Sequence, residues 1–444
     1  MNYATSDTLQ GSRTVNFADV AHGTLIFDRK HPVDALVLKL IDTAWVQRLR
    51  RISQTGNTRL VYMFAEHSRF GHSLGVGYLA SLLMKHLSQQ VPDQIEKYQL
   101  AIGAAAILHD IGHLAPGSHL AENVWSRDRS SFLSHEALSR KIISEDHEIR
   151  GILDEESTGL ADLVLRILDE DRTLPSWTTA LISGGGWNVD RGNWSIVDSV
   201  MCAVSYGRYN VTALIDAFRI SNEGELVIQE SRLDALTHFF VARNSMYRQV
   251  YQHRVLQSAD ALSRLIVRRL RELGNEASTS IFMDSVMKKM LFSDNYQEEL
   301  GLSELYQVCE SWWEYHLLYW RSSSDKVLAD LSSRLIDRKL FKTIHLPLDA
   351  KGELNERSRE IVRLASETAI SLGYPPEYYT ILIGEKDRHR AKQEQLPRVL
   401  EESGKITPVD KVEPLLELLT EKSKTPRAWI AVPAEVKNAL GLIR

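Results

Sequence analysis

His109 and Asp110 end an apolar, alanine-rich run, LAIGAAAILHDIGH, with histidines on both sides: His72 upstream, and His113, His119 and His135 downstream. Imidazole nitrogens and a carboxylate oxygen at one helix end, with a further histidine one helix earlier, form a donor set for a divalent metal. Such a set leaves positions free for water and a substrate oxygen. A lone His-Asp dipeptide is ordinarily a surface or hydrogen-bonded pair. Here Leu100, Ala104, Leu108 and Ile111 recur at helical spacing, so the element that carries the pair is buried. Ionisable groups at the end of a buried helix cost free energy unless they are paired, hydrogen-bonded or metal-bound. Neighbouring segments add chemistry of the same kind. HSRFGHSLGVGYLA brings His67, Arg69 and His72, SHLAE brings His119 and Glu122, and SHEA brings His135 and Glu136. Asp198 stands in WSIVDSVMCAV, an apolar helical stretch that poorly tolerates an isolated carboxylate.

The elements that must position these groups are mostly helical. Helices are expected near 33–53, 72–90, 97–111, 135–147, 159–169, 177–183, 194–206 and 212–219, with a short strand pair ahead of the first. ISNEGELVIQ reads as a hairpin turning at Asn222-Glu223-Gly224, and a long helical stretch is expected over 231–273. After about residue 347, LPLDAKGELN, YPPEYYTILIGEK and RAWIAVPAEV alternate polar turns with short apolar runs, the pattern of a small α/β lobe. The expected organisation is a loose polar tail over 1–16, a helical body with its extension over 17–345, and the small lobe over 346–444. With 444 residues, 43% of them hydrophobic, the chain has material for a large core. A net charge of −5 argues against a protein that coats nucleic acid. Two cysteines, Cys202 and Cys309, in apolar helical contexts point away from a disulfide framework. No apolar leader or bilayer-length run is present, so a cytoplasmic location is expected, with no membrane partner.

At this point the chain resembles the HD-domain phosphohydrolase superfamily, and within it the dNTP triphosphohydrolases, both the dGTPase-like enzymes and those related to the SAM-and-HD-domain type. That family carries a histidine after Arg-Phe-x, an HD pair, a His-Glu pair and a distant aspartate, matched by His72, His109-Asp110, His135-Glu136 and Asp198. IDTAWVQRLRRISQTG resembles the family's opening helix, ARNSMYRQVYQHRV its phosphate-binding helix and DRKLFKTI its late basic segment. The resemblance covers residues 17 to 345, and no SAM domain is expected ahead of it. It implies a mainly α fold, an HD-domain helical core with the small C-terminal α/β lobe.

The resemblance also implies roles. His72, His109, Asp110 and Asp198 would bind one divalent ion, with Mn, Fe, Mg, Zn and Ni all compatible with the ligands. His135 would be the general acid, supported by His119 and by Glu122, which replaces a family aspartate. Histidine suits proton transfer because its pKa is near neutrality. Substrate would be held by Arg69, by Gln54 near the base, and by Arg243, Tyr247, Tyr251 and Arg254, whose steps of four, four and three place them along one helical stripe. Asp42, Gln47 and Arg50 match positions that bind a regulatory nucleotide. The implied reaction is hydrolysis of (d)NTPs at the α-phosphorus to nucleoside and triphosphate, by a homo-oligomer.

One departure bears on substrate. After the metal aspartate the family carries a lysine, a tyrosine and an aspartate, and counting from Asp198 finds Ser199, Cys202 and Tyr206 instead. Thr55 stands where a relative has a leucine that helps exclude the ribose 2′-hydroxyl. Two alternatives therefore accompany the main reading. One is a phosphoesterase or nuclease acting on a modified nucleotide or single-stranded nucleic-acid end, and the other is a catalytically silent nucleotide sensor.

Overall fold

The computed structural model describes residues 13–126, 134–184, 186–274, 280–384, 396–420 and 427–441. It opens on an antiparallel hairpin, β1 (Thr14–Asp19) and β2 (Gly23–Asp28), in register Val15 with Phe27 and Phe17 with Leu25. The strand starts inside the segment expected to be a loose tail, because Leu25 and Phe27 are buried in the main core and Arg13 pairs with Asp28 at 2.6 Å. Residues 1–12 of that tail lie outside the described residues.

The single helix expected over 33–53 is divided. Helix α1 (Pro32–Ile41) stops at Asp42, α2 (Ala44–Arg48) follows, and a turn of 3-10 helix covers Leu49–Arg51. Arg48 is fully buried and donates to four carbonyls, those of Tyr306 (2.9 Å), His113 (2.8 Å), Leu305 (3.3 Å) and Val308 (2.6 Å). One guanidinium thus fastens the loop after the HD pair to a distant helix, adding a second donor to the Leu305 and Val308 carbonyls, which already accept the Val308 and Ala115 backbone N–H groups.

Two long helices form the centre. Helix α3 (Arg69–Ser88) packs along α4 (Pro92–Leu108), which starts with proline at its first position and carries Asp93 in its first turn. Ala101, Ala104, Ala105 and Ala106 are all buried small side chains, and Gly103 makes room for Val33 of α1, which a Cβ there would meet at 2.5 Å. Around this pair lie α5 (Leu120–Trp125), α6 (His135–Glu145), α7 (His147–Glu156), α8 (Leu160–Leu168), α9 (Ser176–Ala180), α10 (Val189–Met201) and α11 (Val211–Ala217). Side chains that offer the helix its first acceptor set two of these starts. Ser134 accepts from the Ala137 N–H at 3.3 Å, and Asn188 accepts from the Arg191 N–H at 2.8 Å.

The hairpin forms as expected, with β3 (Phe218–Ile220) against β4 (Leu226–Gln229) and Gly224 at a φ of 74° in its turn. The long helix expected over 231–273 is interrupted. Helix α12 (Leu233–Met246) runs into a π-turn over Tyr247–Tyr251, closed by the Gln252 N–H to Tyr247 carbonyl bond of 2.9 Å, and α13 (Arg254–Leu273) restarts after His253. The inserted residue of a π-turn rotates the faces of the helix beyond it, so Arg243, Tyr247, Tyr251 and Arg254 do not form one continuous helical stripe.

Near the C-terminus, β5 (Lys342–Leu346), β6 (Ile381–Gly384) and a later strand make a three-stranded antiparallel sheet. The later strand, Ala428–Val432, is central. Leu346, Ala365, Ala369, Ile430, Val432 and Val436 give this lobe a small core of its own. The segment between, Arg398–Leu400, leaves the lobe and pairs in parallel with β4, Ile228 opposite Val399. The chain thus returns to the main body inside the stretch expected to be wholly lobe. No helix among the described residues is long and apolar enough to cross a membrane.

Candidate active site

His109 caps the C-terminal end of α4, and its Nδ1 lies 2.9 Å from the Ala106 carbonyl, which turns Nε2 inward. His72 comes from the first turns of α3. Its Nε2 is 3.5 Å from Asp110 Oδ2, and the His109 Nε2 is 3.4 Å from Asp110 Oδ1. A fourth group completes the set, and it is Asp190, whose Oδ1 lies 3.1 Å from His72 Nε2 and 3.7 Å from His109 Nε2. Both Nε2 atoms are buried and make no well-directed hydrogen bond, although carboxylate oxygens surround them. Two orphaned imidazole nitrogens beside a carboxylate fit a divalent cation held by His72, His109 and Asp110, and the Asp190 carboxylate lies close enough to both imidazoles to be a fourth donor. Electrostatics agree. Burial alone would push the His109 imidazole down, but Asp110 and Asp190 overcome it and raise its pKa to about 9. Against the same burial cost, His109 and His72 hold the Asp190 carboxyl far below its ordinary range.

Asp198, expected from the sequence to join this set, is not one of the converging groups and lies instead against His67 and Tyr251. It lies eight residues beyond Asp190 on α10, about 12 Å along a helix that rises 1.5 Å per residue. Its Oδ1 is 2.8 Å from His67 Nε2, and its Oδ2 accepts from the Tyr251 hydroxyl at 2.5 Å. Asp190 escaped notice because an acidic residue in the first turn of a helix is ordinary, whereas Asp198 stood out in an apolar run. Counting the family's spacing from Asp190 instead gives Arg191, Trp194 and Asp198: a cation, an aromatic ring and a carboxylate. The departure at Ser199, Cys202 and Tyr206 follows from the wrong starting point. Ser199 and Cys202 are buried, and Ser199 bonds the Val204 carbonyl at 2.7 Å.

A second cluster adjoins the first. Glu122, on α5, sits 2.6 Å from His135 Nδ1 and also accepts the His135 backbone N–H at 3.1 Å. That fixes His135 at the start of α6 with Nε2 turned towards Asp110, 3.9 Å away. His113 stacks on His135 with ring centroids 3.8 Å apart and reaches Asp110 Oδ1 at 3.3 Å. Burial would lower the His135 pKa, but Glu122 outweighs it and the net shift is upward. Burial and the Arg69 charge lower His113. His119 is more exposed, 3.5 Å from the other Glu122 oxygen. The close approach behind this arrangement needs Gly112, because a Cβ there would lie 2.3 Å from the His135 carbonyl oxygen and from the Ser139 nitrogen. Ser139 ties the elements together, its hydroxyl accepting from the Gly112 N–H at 3.0 Å and donating to the His109 carbonyl at 2.7 Å.

Substrate-side residues are brought together in part. Arg69 is buried and pairs with Asp110. Gln54 lies on a segment whose backbone pairs with that of residues 67–69, and its Oε1 is buried without a protein partner. Tyr247, Tyr251 and Trp194 form an aromatic trio, with centroids 5.4 to 5.9 Å apart, beside Asp198. The Arg243 guanidinium lies 5.3 Å from the Tyr247 ring centre. Arg254 is exposed at the start of α13. Arg191 donates to the Gly186 carbonyl at 3.2 Å. Farther along the opening helices, Asp42 is exposed, Gln47 donates to the Ile41 carbonyl at 2.7 Å, and Arg50 bonds Gln47 at 2.9 Å and lies on the Phe70 ring.

Comparison with known proteins accords with this geometry. The HD domain family matches residues 69–184, the stretch that holds His72, His109, Asp110 and His135. The uncharacterized protein YwfO of Bacillus subtilis is 29% identical over 402 residues, covering 89% of this chain and 88% of that one. Human deoxynucleoside triphosphate triphosphohydrolase SAMHD1 is 30% identical over 275 residues, which are 55% of this chain and 42% of the human protein, so the chain spans under half of that relative. The fold matches a phosphohydrolase from Bacteroides thetaiotaomicron with a TM-score of 0.77 at 24% identity, covering 94% of this chain and 99% of that one. It also matches a hypothetical protein from Aquifex aeolicus with a TM-score of 0.68 at 24% identity, covering 96% and 98%. With the HD pair, its partner histidine and the His-Glu pair all inside the matched stretch, residues 69–184 match the HD domain family, and the chain is similar to the dNTP triphosphohydrolases.

Proposed function

We propose that the protein hydrolyses nucleoside triphosphates at the α-phosphorus, releasing nucleoside and inorganic triphosphate. The observation that carries this reading is the register set by Asp190, which puts a cation, an aromatic ring and a carboxylate at the spacing the family uses for phosphate and sugar. A divalent ion held by His72, His109, Asp110 and Asp190 would lower the pKa of a bound water and polarise a phosphoryl oxygen. The remaining work belongs to the chain's own groups. His135, oriented through Nδ1 by Glu122, is placed to give a proton from Nε2 to the leaving sugar oxygen. Arg69 and Arg191 offset phosphate charge. Asp198, held by His67 and Tyr251, is suited to accept a hydrogen bond from a sugar hydroxyl, with Trp194 and Tyr247 lining the same side. Arg243, Arg254 and Gln54 complete the proposed contacts to phosphate and base.

The reading that favoured a modified nucleotide or a nucleic-acid end rested in part on missing sugar contacts at Ser199, Cys202 and Tyr206, and it loses that part of its support, while Thr55 remains. Sugar preference is a separate matter, because the Thr55 hydroxyl is buried without a protein partner and can meet a ribose 2′-hydroxyl. Self-association and a regulatory nucleotide at Asp42, Gln47 and Arg50 belong to the same proposal. The test incubates the protein with each dNTP, each NTP and a single-stranded oligonucleotide, with Mn²⁺, Mg²⁺ or Fe²⁺, and separates the products by ion exchange. Triphosphate with free nucleoside is expected. Shortened oligonucleotides beside untouched triphosphates would overturn the reading, as would nucleotide binding with no product. Sedimentation with and without GTP tests assembly and its regulation.

A further inference from the structure

Asn193 lies on α10, three residues beyond Asp190, and is completely buried. Its Nδ2 is 3.0 Å from His72 Nδ1 and donates to the His72 carbonyl at 3.1 Å. Its Oδ1 is 2.9 Å from Nε2 of His22, in the turn between β1 and β2. Gly75 makes the room, since a Cβ at that position would lie 2.3 Å from Asn193 Oδ1. The His22 end is fixed as well. The Asp19 carboxylate accepts from the backbone N–H groups of Ala21 at 2.8 Å and His22 at 2.7 Å, which clamps the turn. A chain of three side chains therefore runs from the N-terminal hairpin to the outer nitrogen of His72, and its inner nitrogen faces Asp110 and Asp190.

A neutral imidazole that ligates a metal through Nε2 keeps its proton on Nδ1, and an acceptor at that nitrogen fixes both tautomer and ring orientation. An asparagine amide can supply that acceptor, because a half-turn about its last torsion exchanges oxygen for nitrogen, at the cost of the Nδ2 bond to the His72 carbonyl. His22 can complement either arrangement with its own tautomer. We propose that His22 is a positioning residue for the metal site. Through Asn193 it sets the ring orientation and tautomer of His72, so the N-terminal hairpin is a working part of the site without contributing a ligand. This role rests on the metal set of His72, His109, Asp110 and Asp190.

The test uses the full chain, stripped of metal and titrated with Mn²⁺ by calorimetry, with thermal unfolding of the metal-free form followed in parallel. His22→Ala is expected to weaken Mn²⁺ binding roughly 10- to 100-fold. His22→Gln, whose amide can donate or accept at the same place, is expected to restore most of that loss. A purely structural role would lower the metal-free unfolding midpoint and leave affinity alone. Wild-type affinity in a folded His22→Ala variant overturns the proposal, and so does a His22→Gln variant as weak as His22→Ala. If the wild-type chain itself takes up no Mn²⁺, the metal reading fails and this role falls with it. If the wild type binds and His22→Ala is indifferent, only the positioning role fails.

Discussion

Replacing Asp190 with asparagine keeps the shape of the side chain and removes one of the two carboxylates beside His72 and His109. Its Oδ1 is 3.1 and 3.7 Å from the two imidazoles. Loss of a group that merely orients a ligand costs roughly 10- to 100-fold in metal affinity. A charged donor that touches the ion is worth more, so the expected loss starts at about 100-fold, roughly 3 kcal/mol at 1.4 kcal/mol per decade. Asp198→Asn is the matched comparison. Its oxygens go to His67 and Tyr251, and its place on α10 is about 12 Å along the axis from Asp190. Separated sites act nearly independently, so that variant should bind Mn²⁺ within about threefold of wild type and instead raise KM for nucleotide. Free Mn²⁺ counted by electron paramagnetic resonance during a titration measures both, with circular dichroism as the check on folding. If Asp198→Asn abolishes binding while Asp190→Asn retains it, the reassignment is wrong and the set read from sequence stands.

Stability of the metal-free protein should depend on His109. Its pKa is raised from 6.5 to about 9, so the charged form stabilises the fold fully below pH 6.5, and up to about 3 kcal/mol is lost as pH rises through 9. Urea unfolding at pH 6 and pH 9.5 reads this, and Mn²⁺ should reverse the slope because the ligand is neutral imidazole; a flat metal-free profile would refute it. Glu122→Gln should lower kcat by about 100-fold or more with Mn²⁺ affinity little changed, since Glu122 bonds His135 and no metal-facing nitrogen. Loss of metal in that variant would contradict the division into two clusters. Asp34 is buried, and although burial alone would raise its carboxyl, the nearby His31 ring and bonds from Lys85, Ser81 and the Asp28 N–H lower it to about 2. Asp34→Asn should cost about 2 kcal/mol at neutral pH, with the difference fading as pH falls from 4 through 2, and denaturant melts across that range would expose a pH-independent effect. Arg48→Met removes four buried hydrogen bonds, although the Leu305 and Val308 carbonyls keep a backbone donor, and should destabilise by about 3 kcal/mol; an unchanged unfolding midpoint would count against its stapling role.

Much of the central pair of helices was readable because its periodicity and small residues have one physical solution, a tightly packed buried helix that ends at the HD pair. His135 and Glu122 were readable as residue types, but their bond depends on α5 and α6 meeting across a gap of 13 residues. The break between α12 and α13 was not readable. Its helical pattern continues through Tyr247–Tyr251, and only the packing of Trp194 and Tyr251 beside Asp198 gives the π-turn a purpose.

Residue types and their spacing alone supply the donors: imidazole and carboxylate at helix ends, with cations and aromatic rings nearby, in a mainly helical chain. Those features are local, written in residue type and period. Which aspartate faces His72 and His109 is visible in the packing of α10 against α3 and α4. Asp190 and Asp198 share one helix and one ionic character, and they differ in which neighbours α10 brings them against. Asp190 meets His72 and His109 from α3 and α4, whereas Asp198 meets His67 and Tyr251. Helix-to-helix placement is set by side chains packing across long sequence separations, and within α10 only the spacing of Arg191, Trp194 and Asp198, set against the family pattern, points to Asp190.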